Sequence, residues 1–338
     1  MKKKYLINSF FFQYDLFQKE LNNLFTFTFT PEFPETRRAL SYIPANYLAM
    51  RKLCKSKAID TYDIIHLNRM EALLAYKKRS HQKLIFEIHG FDVGVLGKLY
   101  LKDLHTPWKK VLGLLVDFFL APLVKRKIKS VDLFYVSTPD LVEPIYDWCG
   151  RKPLWLPNPV QTDQFSPEGA VEELRGNPAC FLAARLHGDK RPEIAFELFQ
   201  SVLREHPEAV LHLIDTGELK EKYHTLFEKN PNYEWHPYMD KETLASVIRG
   251  SDLVFGDFSI GALSLLPMQI MLCKKPIVTL DRYEIIKQDL DTLKEYTTKL
   301  VGDEKFRNET IERNYAYVLQ THAPKKVAEL HVKNLERA

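Results

Sequence analysis

Ala183-Ala184-Arg185-Leu186-His187-Gly188-Asp189-Lys190 decides the reading of this chain. The apolar run from Cys180 to Ala184 has the character of a buried strand. It ends in Arg185, and Lys190 follows five residues later. A helical pattern then begins near Pro192, with Ile194, Ala195, Leu198, Phe199 and Val202 on one face. Two cations on a strand-to-helix turn suit an anion. The helix N-terminus adds unpaired N–H groups and a partial positive charge. Arg and Lys on a loop are more often merely solvated, so the pattern needs support from the rest of the chain.

Outward from this stretch, short apolar runs alternate with amphipathic ones. Strands are expected at Tyr5–Phe10, Ile64–Leu67, Lys83–Ile88, Leu133–Val136, Pro153–Leu156, Ala179–Ala184, Val210–Ile214, Leu253–Phe255 and Pro276–Thr279. Helices are expected at Asn46–Lys55, Arg69–Lys77, Pro139–Trp148, Pro192–Glu205, Leu219–Phe227, Lys241–Arg249 and Leu266–Cys273. Such alternation implies parallel sheets with right-handed crossovers, and ligands in such folds collect at the carboxyl ends of the strands. The breaker-rich stretch Pro157 to Pro167 reads as a linker, which places a domain boundary near mid-chain. A chain of 338 residues is in any case long enough for two cores.

The composition, 45% hydrophobic and 27% charged, is that of a folded, water-facing protein. The four cysteines (Cys54, Cys149, Cys180, Cys273) are far apart and form no CxxC pair, which suggests a reducing compartment and no zinc site. Met1-Lys2-Lys3-Lys4 precedes an apolar run too short and too broken for a signal peptide, and a first strand is the better reading. The net charge of +4 hides an asymmetry: residues 1–160 hold 25 Lys/Arg against 15 Asp/Glu, and the remainder 23 against 29. A basic half suits an anionic surface. No nucleic-acid motif accompanies it, so nucleic acid is set aside and a membrane surface is preferred. Within that half, Val111–Val124 is almost wholly apolar and is framed by Lys109-Lys110 and Lys125-Arg126-Lys127. As a helix it is too short to cross a bilayer. It reads either as a buried helix with a basic cap or as a helix lying in a membrane interface.

Four separated segments resemble, in order, the family-4 glycosyltransferases of the group 1 type, retaining enzymes that use nucleotide-sugar donors. The first is the Arg185/Lys190 turn itself, which in that family binds the donor diphosphate. The second, Phe86-Glu87-Ile88-His89-Gly90-Phe91-Asp92-Val93, is similar to the family's strand-end His-Gly-x-Asp-Val. There His89 would contact a sugar hydroxyl or the acceptor, Gly90 would permit close approach of the ligand, and Asp92 would orient the loop. The third runs from Ser251 to Val278. Relatives carry a Glu-x7-Glu pattern here; this chain has Gly261 at the first position and Gln269 at the second. Gln269 is nearly isosteric with Glu and would still reach a nucleotide ribose, without charge. Backbone N–H groups of Ser264, Leu265 and Leu266 would hold phosphate at the helix start. The fourth joins Leu213–Gly217 to Trp235–Glu242 and resembles the family's nucleobase loop, with Gly217, Trp235 and Tyr238 on the donor. For Trp235 and Tyr238 ordinary core packing is the competing reading. The usual glycine-rich loop after the first strand is missing, since Asn8 to Gln13 contains no Gly.

The resemblance implies an α/β protein of the GT-B fold, with two Rossmann-like domains whose parallel sheets face each other across a cleft. Residues 1–157 would form the acceptor-side domain and 158–315 the nucleotide-sugar domain, with 316–338 packing back toward the first. The implied activity is transfer of a sugar from a nucleotide-diphosphate sugar to a glycan or lipid-linked acceptor, with retention. His89, Arg185 and Lys190 would be catalytic, and no cofactor or metal would be required. The implied place is the cytoplasm or the cytoplasmic face of a membrane. Two alternatives stand beside it: a non-catalytic nucleotide-sugar-binding protein, which the departures at Gly261 and Gln269 motivate, and a nucleotide-sugar 2-epimerase, an activity that shares the fold.

Overall fold

The computed structural model describes residues 2–8, 14–29, 47–48, 50–68, 70–89, 121–258, 263–280 and 290–338. The chain forms two compact units, Met1–Pro159 with Lys325–Ala338, and Val160–Pro324.

The first unit is built on a six-stranded parallel sheet of β1 (Lys3–Asn8), β2 (Phe25–Phe29), β3 (Ile64–Leu67), β4 (Lys83–Ile88), β5 (Leu133–Val136) and β6 (Leu154–Trp155) in the order β2-β1-β3-β4-β5-β6. Strands β3 to β5 are largely apolar because both faces are covered, with buried His66 and Glu87 as the interior exceptions. Leu6, Ile65, Leu67, Leu84, Phe86, Ile88, Phe134 and Val136 face one core. Tyr5, Ile7, Ile64, Ile85, Leu133 and Tyr135 face the other. The C-terminal helix Pro324–Arg337 closes this second face with Val327, Ala328 and Leu335, and Lys83 Nζ donates to the Leu335 carbonyl at 3.0 Å.

The second unit has a five-stranded parallel sheet, β7 (Ala179–Leu182), β8 (Val210–Ile214), β9 (Tyr233–His236), β10 (Leu253–Phe255) and β11 (Ile277–Val278), in the order β11-β10-β7-β8-β9. The chain runs outward from β7 through β8 to β9, then returns to place β10 on the other side of β7. The order therefore reverses between β7 and β10, and a crevice opens beyond their carboxyl ends. Cys180 and Leu182 pack on one face with Leu211, Leu213, Leu253 and Phe255; Phe181 and Ala183 pack on the other with Ile214 and Val254. The helix Pro192–Glu205 fills its expected span. Helix Leu265–Leu272 is apolar nearly all round, because helix Glu304–Thr321 covers the side that the sheet does not.

Several boundaries differ from those read in the sequence. The first unit ends at Pro159 and not at 157, and only Lys325–Ala338 returns to it. Residues 316–324 stay with the second unit, where Val318 packs among Phe165, Val254 and Leu272. Strands β2 and β9 and the helices Tyr14–Leu21 and Leu290–Gly302 were not expected as elements. Most of the apolar Val111–Val124 segment lies outside the described residues. Of its flanking cations, Lys127 donates to the Tyr76 carbonyl at 2.5 Å and Lys125 lies over the Trp148 ring at 5.1 Å. Arg126 alone of those three is exposed. Among the described residues no helix is long and apolar enough to cross a membrane.

Candidate active site

The loop after β7 and the loop after β10 meet at the switch point. Arg185 is exposed and makes no side-chain hydrogen bond or ion pair among the described residues. Gly188–Lys190 forms a single 3-10 turn, and Arg191 then adopts the left-handed region (φ 51°) before Pro192 opens the helix. That backbone is unusual for a residue with a side chain, and such outliers gather where surroundings hold a loop in one shape. Here the Phe258 N–H donates to the Lys190 carbonyl at 3.0 Å, tying the two loops together.

Lys190 turns toward the loop after β10 at this junction. Its Nζ is 3.4 Å from Asp257 Oδ2, which also accepts from Ser264 Oγ at 2.7 Å. Thr279 Oγ1 donates to the Asp257 carbonyl at 2.6 Å. Ser264 is the residue before helix Leu265–Leu272, yet its hydroxyl does not cap the helix. It is drawn to Asp257, so the first-turn N–H groups at Leu265 and Leu266 keep no side-chain cap, and Pro267 contributes no N–H. Ser264, Leu265, Leu266 and Gln269 are all part-exposed. Arg185 and Lys190 thus lie on the loop after β7, which is tied to the loop that leads to the helix start at the β7/β10 switch point.

Gly217 follows β8 with φ +120°, and a Cβ there would lie 2.2 Å from the Leu186 carbonyl oxygen. Leu186 N–H donates to Thr216 O at 2.9 Å, and Leu219 N–H to Leu186 O at 2.9 Å. The glycine is required by the backbone of the Arg185 loop, so its small size serves loop packing and positions Arg185 from behind. Trp235 lies in β9 and not in a loop. Its ring stacks on His224 at 3.8 Å and borders the core with Phe227. The core reading of Trp235 is therefore the one its surroundings match. Tyr238, 79% exposed, remains open to a ligand. Gly90, Asp92 and Gly261 lie outside the described residues.

His89 ends β4 in the first unit and is buried, with Nε2 3.3 Å from Glu87 Oε1. Burial pushes its imidazole below the ordinary value, while the Glu87 carboxylate acts in the opposite direction. Behind it runs a buried polar chain that residue-by-residue reading of the sequence did not find. Glu87 Oε2 is 3.0 Å from His66 Nε2, His66 Nδ1 is 3.1 Å from Tyr5 Oη, and Tyr5 Oη is 3.0 Å from His331 Nε2. A carboxylate can only accept. Donation therefore runs one way: His331 to Tyr5, Tyr5 to His66, His66 to Glu87. His331 Nδ1 is then a bare lone pair, consistent with its burial without a partner. Burial, with His66 beside it, drives the His331 imidazole down to about 3. The available signal was a His and a Glu inside the otherwise apolar strands Ile64–Leu67 and Lys83–Ile88. Asp257 was missed as well; its signal was an acid two residues beyond a strand end.

Two units, each built on a Rossmann-like parallel sheet, place this structure in the GT-B fold class. Residues 170–329 match the family model described as Glycosyl transferases group 1. The second unit carries that family's sequence pattern. Among solved structures, HepE from Anabaena in complex with UDP-glucose is 12% identical, with 99% of this chain and 100% of that one covered and a TM-score of 0.65. Sucrose-phosphate synthase from Thermosynechococcus elongatus is 13% identical over 100% and 98% of the two chains, with a TM-score of 0.70. A Listeria monocytogenes protein described as a UDP-N-acetylglucosamine 2-epimerase is 12% identical over 99% and 96%, with a TM-score of 0.57. No curated protein matches the sequence.

Proposed function

We propose that the chain is a retaining glycosyltransferase of the family-4 kind, moving a sugar from a nucleotide-diphosphate donor to a glycan or lipid-linked acceptor. The observation that carries this reading is the placing of Arg185 and Lys190 on one loop at the β7/β10 switch point, beside the uncapped start of helix Leu265–Leu272. As the glycosidic bond breaks, negative charge grows on the diphosphate. Fixed cations and N–H dipoles aimed there stabilise that charge more than the ground state, which is what lowers the barrier. The protein's own cations thus do what a bound metal does in other transferases, and transfer requires no metal or cofactor. Gln269 takes the nucleotide ribose through neutral hydrogen bonds, and Tyr238 borders the donor. His89, on the other unit, serves the sugar or the acceptor and not the nucleotide. The +10 charge of residues 1–160 supports an acceptor held at an anionic surface, with the protein peripheral to the cytoplasmic face.

The test is incubation with a panel of UDP-, GDP- and ADP-sugars in the presence of EDTA, with and without glycan and lipid-linked acceptors. Product configuration is read by NMR of the anomeric proton. Acceptor-dependent release of nucleoside diphosphate with an unchanged anomeric configuration is the expected result. An isomerised nucleotide sugar formed without acceptor would instead favour epimerisation, whose representative from Listeria shares this fold. Binding of nucleotide sugars with no product of either kind would favour a non-catalytic role. No binding of any of them would end the reading.

A further inference from the structure

On the sheet face opposite Trp235, three donor side chains meet that no part of the proposed transfer uses. His212 of β8 stands directly across from Glu234 of β9 in the strand register, and His236 is two residues further along β9 on the same face. The pairing therefore places two imidazoles and a carboxylate together by construction, and their ligand atoms all lie within 4.8 Å of one another. His212 Nδ1 is 2.9 Å from His236 Nε2 and 4.0 Å from Glu234 Oε1.

We propose that His212, Glu234 and His236 bind a single zinc ion, or a divalent ion of similar softness, with water as the fourth ligand. Ligand atoms at about 2.0–2.2 Å from a tetrahedral zinc lie roughly 3.3 Å apart. The observed separations reach that value if the two imidazoles part slightly and the carboxylate moves in, both of which are side-chain rotations. The outer contacts already have the pattern of a metal site. His212 Nε2 lies 2.8 Å from the Arg175 carbonyl, to which it donates. That hydrogen bond fixes the tautomer and leaves the Nδ1 lone pair facing Glu234 and His236. Arg175 Nε also donates to Glu234 Oε2 at 3.1 Å, so Oε1 is the oxygen left toward the histidines. One residue thus orients two of the three ligands.

Without metal, His212 Nδ1 can only accept, so His236 Nε2–H donates to it. On binding, the His236 proton moves through solvent from Nε2 to Nδ1, and no net proton is released from a neutral imidazole. His212 is wholly buried while Glu234 and His236 are part-exposed, so the ion enters from the β9 edge and keeps a water. Two imidazoles with one carboxylate select zinc, cobalt or nickel over magnesium and calcium, which require oxygen. The ion would join edge strand β9 to β8 just ahead of the Pro237–Asp240 segment. This inference is independent of the glycosyl-transfer reading.

The test is a titration of the EDTA-treated, dialysed whole chain with zinc against a chromophoric indicator, repeated with cobalt. Wild type should bind one equivalent tightly. Cobalt should give the strong visible bands of a four-coordinate centre, and zinc should raise the melting temperature. His236→Gln removes a part-exposed ligand and leaves buried His212 in place, so the variant folds. It should weaken that equivalent at least tenfold and abolish both the cobalt bands and the thermal shift. His224→Gln, on the opposite face of β9 where His224 stacks on Trp235 and pairs with Asp215, should change none of these. Absence of a stoichiometric zinc in wild type, or zinc and cobalt binding unaltered by His236→Gln, would overturn the proposal.

Discussion

Lys190 Nζ lies 3.4 Å from Asp257 Oδ2, a carboxylate only 6% exposed that also holds Ser264 Oγ at 2.7 Å. The cation assigned to the donor phosphate therefore has an internal counter-ion. A diphosphate must compete with Asp257 for Lys190, or share it. Replacing Asp257 with Asn removes the competing charge and keeps an oxygen that accepts from Ser264. The variant should bind nucleoside diphosphate about three- to tenfold more tightly, roughly 1 kcal/mol. Isothermal titration with UDP, GDP and ADP measures this. Weaker binding would mean that Asp257 holds Lys190 in place and does not compete with the ligand.

The two cations should separate in stability while agreeing in binding. Arg185 is exposed and unpaired among the described residues, so Arg185→Ala should change unfolding free energy by no more than about 0.5 kcal/mol. Lys190→Ala takes a charged partner from a buried carboxylate and should cost about 1–3 kcal/mol. Both should lower nucleoside diphosphate affinity at least tenfold. Thermal unfolding and titration calorimetry on the same preparations give the two quantities. Undiminished affinity in the double variant would remove the phosphate assignment.

Much of the architecture was legible because buried parallel strands are short runs dominated by apolar residues. Strands β3, β4, β5, β8 and β10 fall where those runs fall. Of the four edge strands, β6 and β11 fall in expected runs, while β2 and β9 escaped because one side meets solvent and the run breaks up. Phe25–Phe29 alternates Phe with Thr, and Tyr233–His236 alternates aromatic core residues with Glu234 and His236. Arg185 and Lys190 were legible from their place between strand and helix. Asp257 was not, since its meaning lies in a partner 67 positions away. The chain from His331 to Glu87 was equally hidden, because it depends on a helix 326 residues distant from Tyr5 settling on the same sheet face.

Two glycines near Arg185 should respond very differently to Ala. At Gly217 a Cβ would meet the Leu186 carbonyl at 2.2 Å, and φ is +120°. Backbone cannot yield as a side chain does, so Gly217→Ala should cost about 3 kcal/mol or more and displace the Arg185 loop. At Gly188 the nearest neighbour is Glu218 Oε1 at 3.4 Å, an ordinary contact. Gly188→Ala should stay within about 1 kcal/mol of wild type. Denaturant unfolding of the two variants checks the contrast, and nucleoside diphosphate affinity should fall sharply only in the first.

Acid should weaken the protein through His331. Burial lowers its folded-state value to about 3, against an ordinary 6.5 in the unfolded chain. Between those values the unfolded state binds a proton that the folded state refuses. The stabilising difference is therefore complete above the unfolded value and is lost as pH falls toward the folded one. At pH 5 the loss from this residue alone is about 2 kcal/mol relative to pH 7.5. Buried His89, also depressed by burial, adds in the same direction. His331→Leu fills the site with an apolar side chain and leaves Tyr5 Oη its bond to His66 Nδ1. Urea unfolding at pH 7.5 and pH 5 should show wild type losing about 2 kcal/mol more than the variant. Equal losses in the two proteins would place the acid-sensitive group elsewhere and would contradict a neutral His331 at the head of the donor chain.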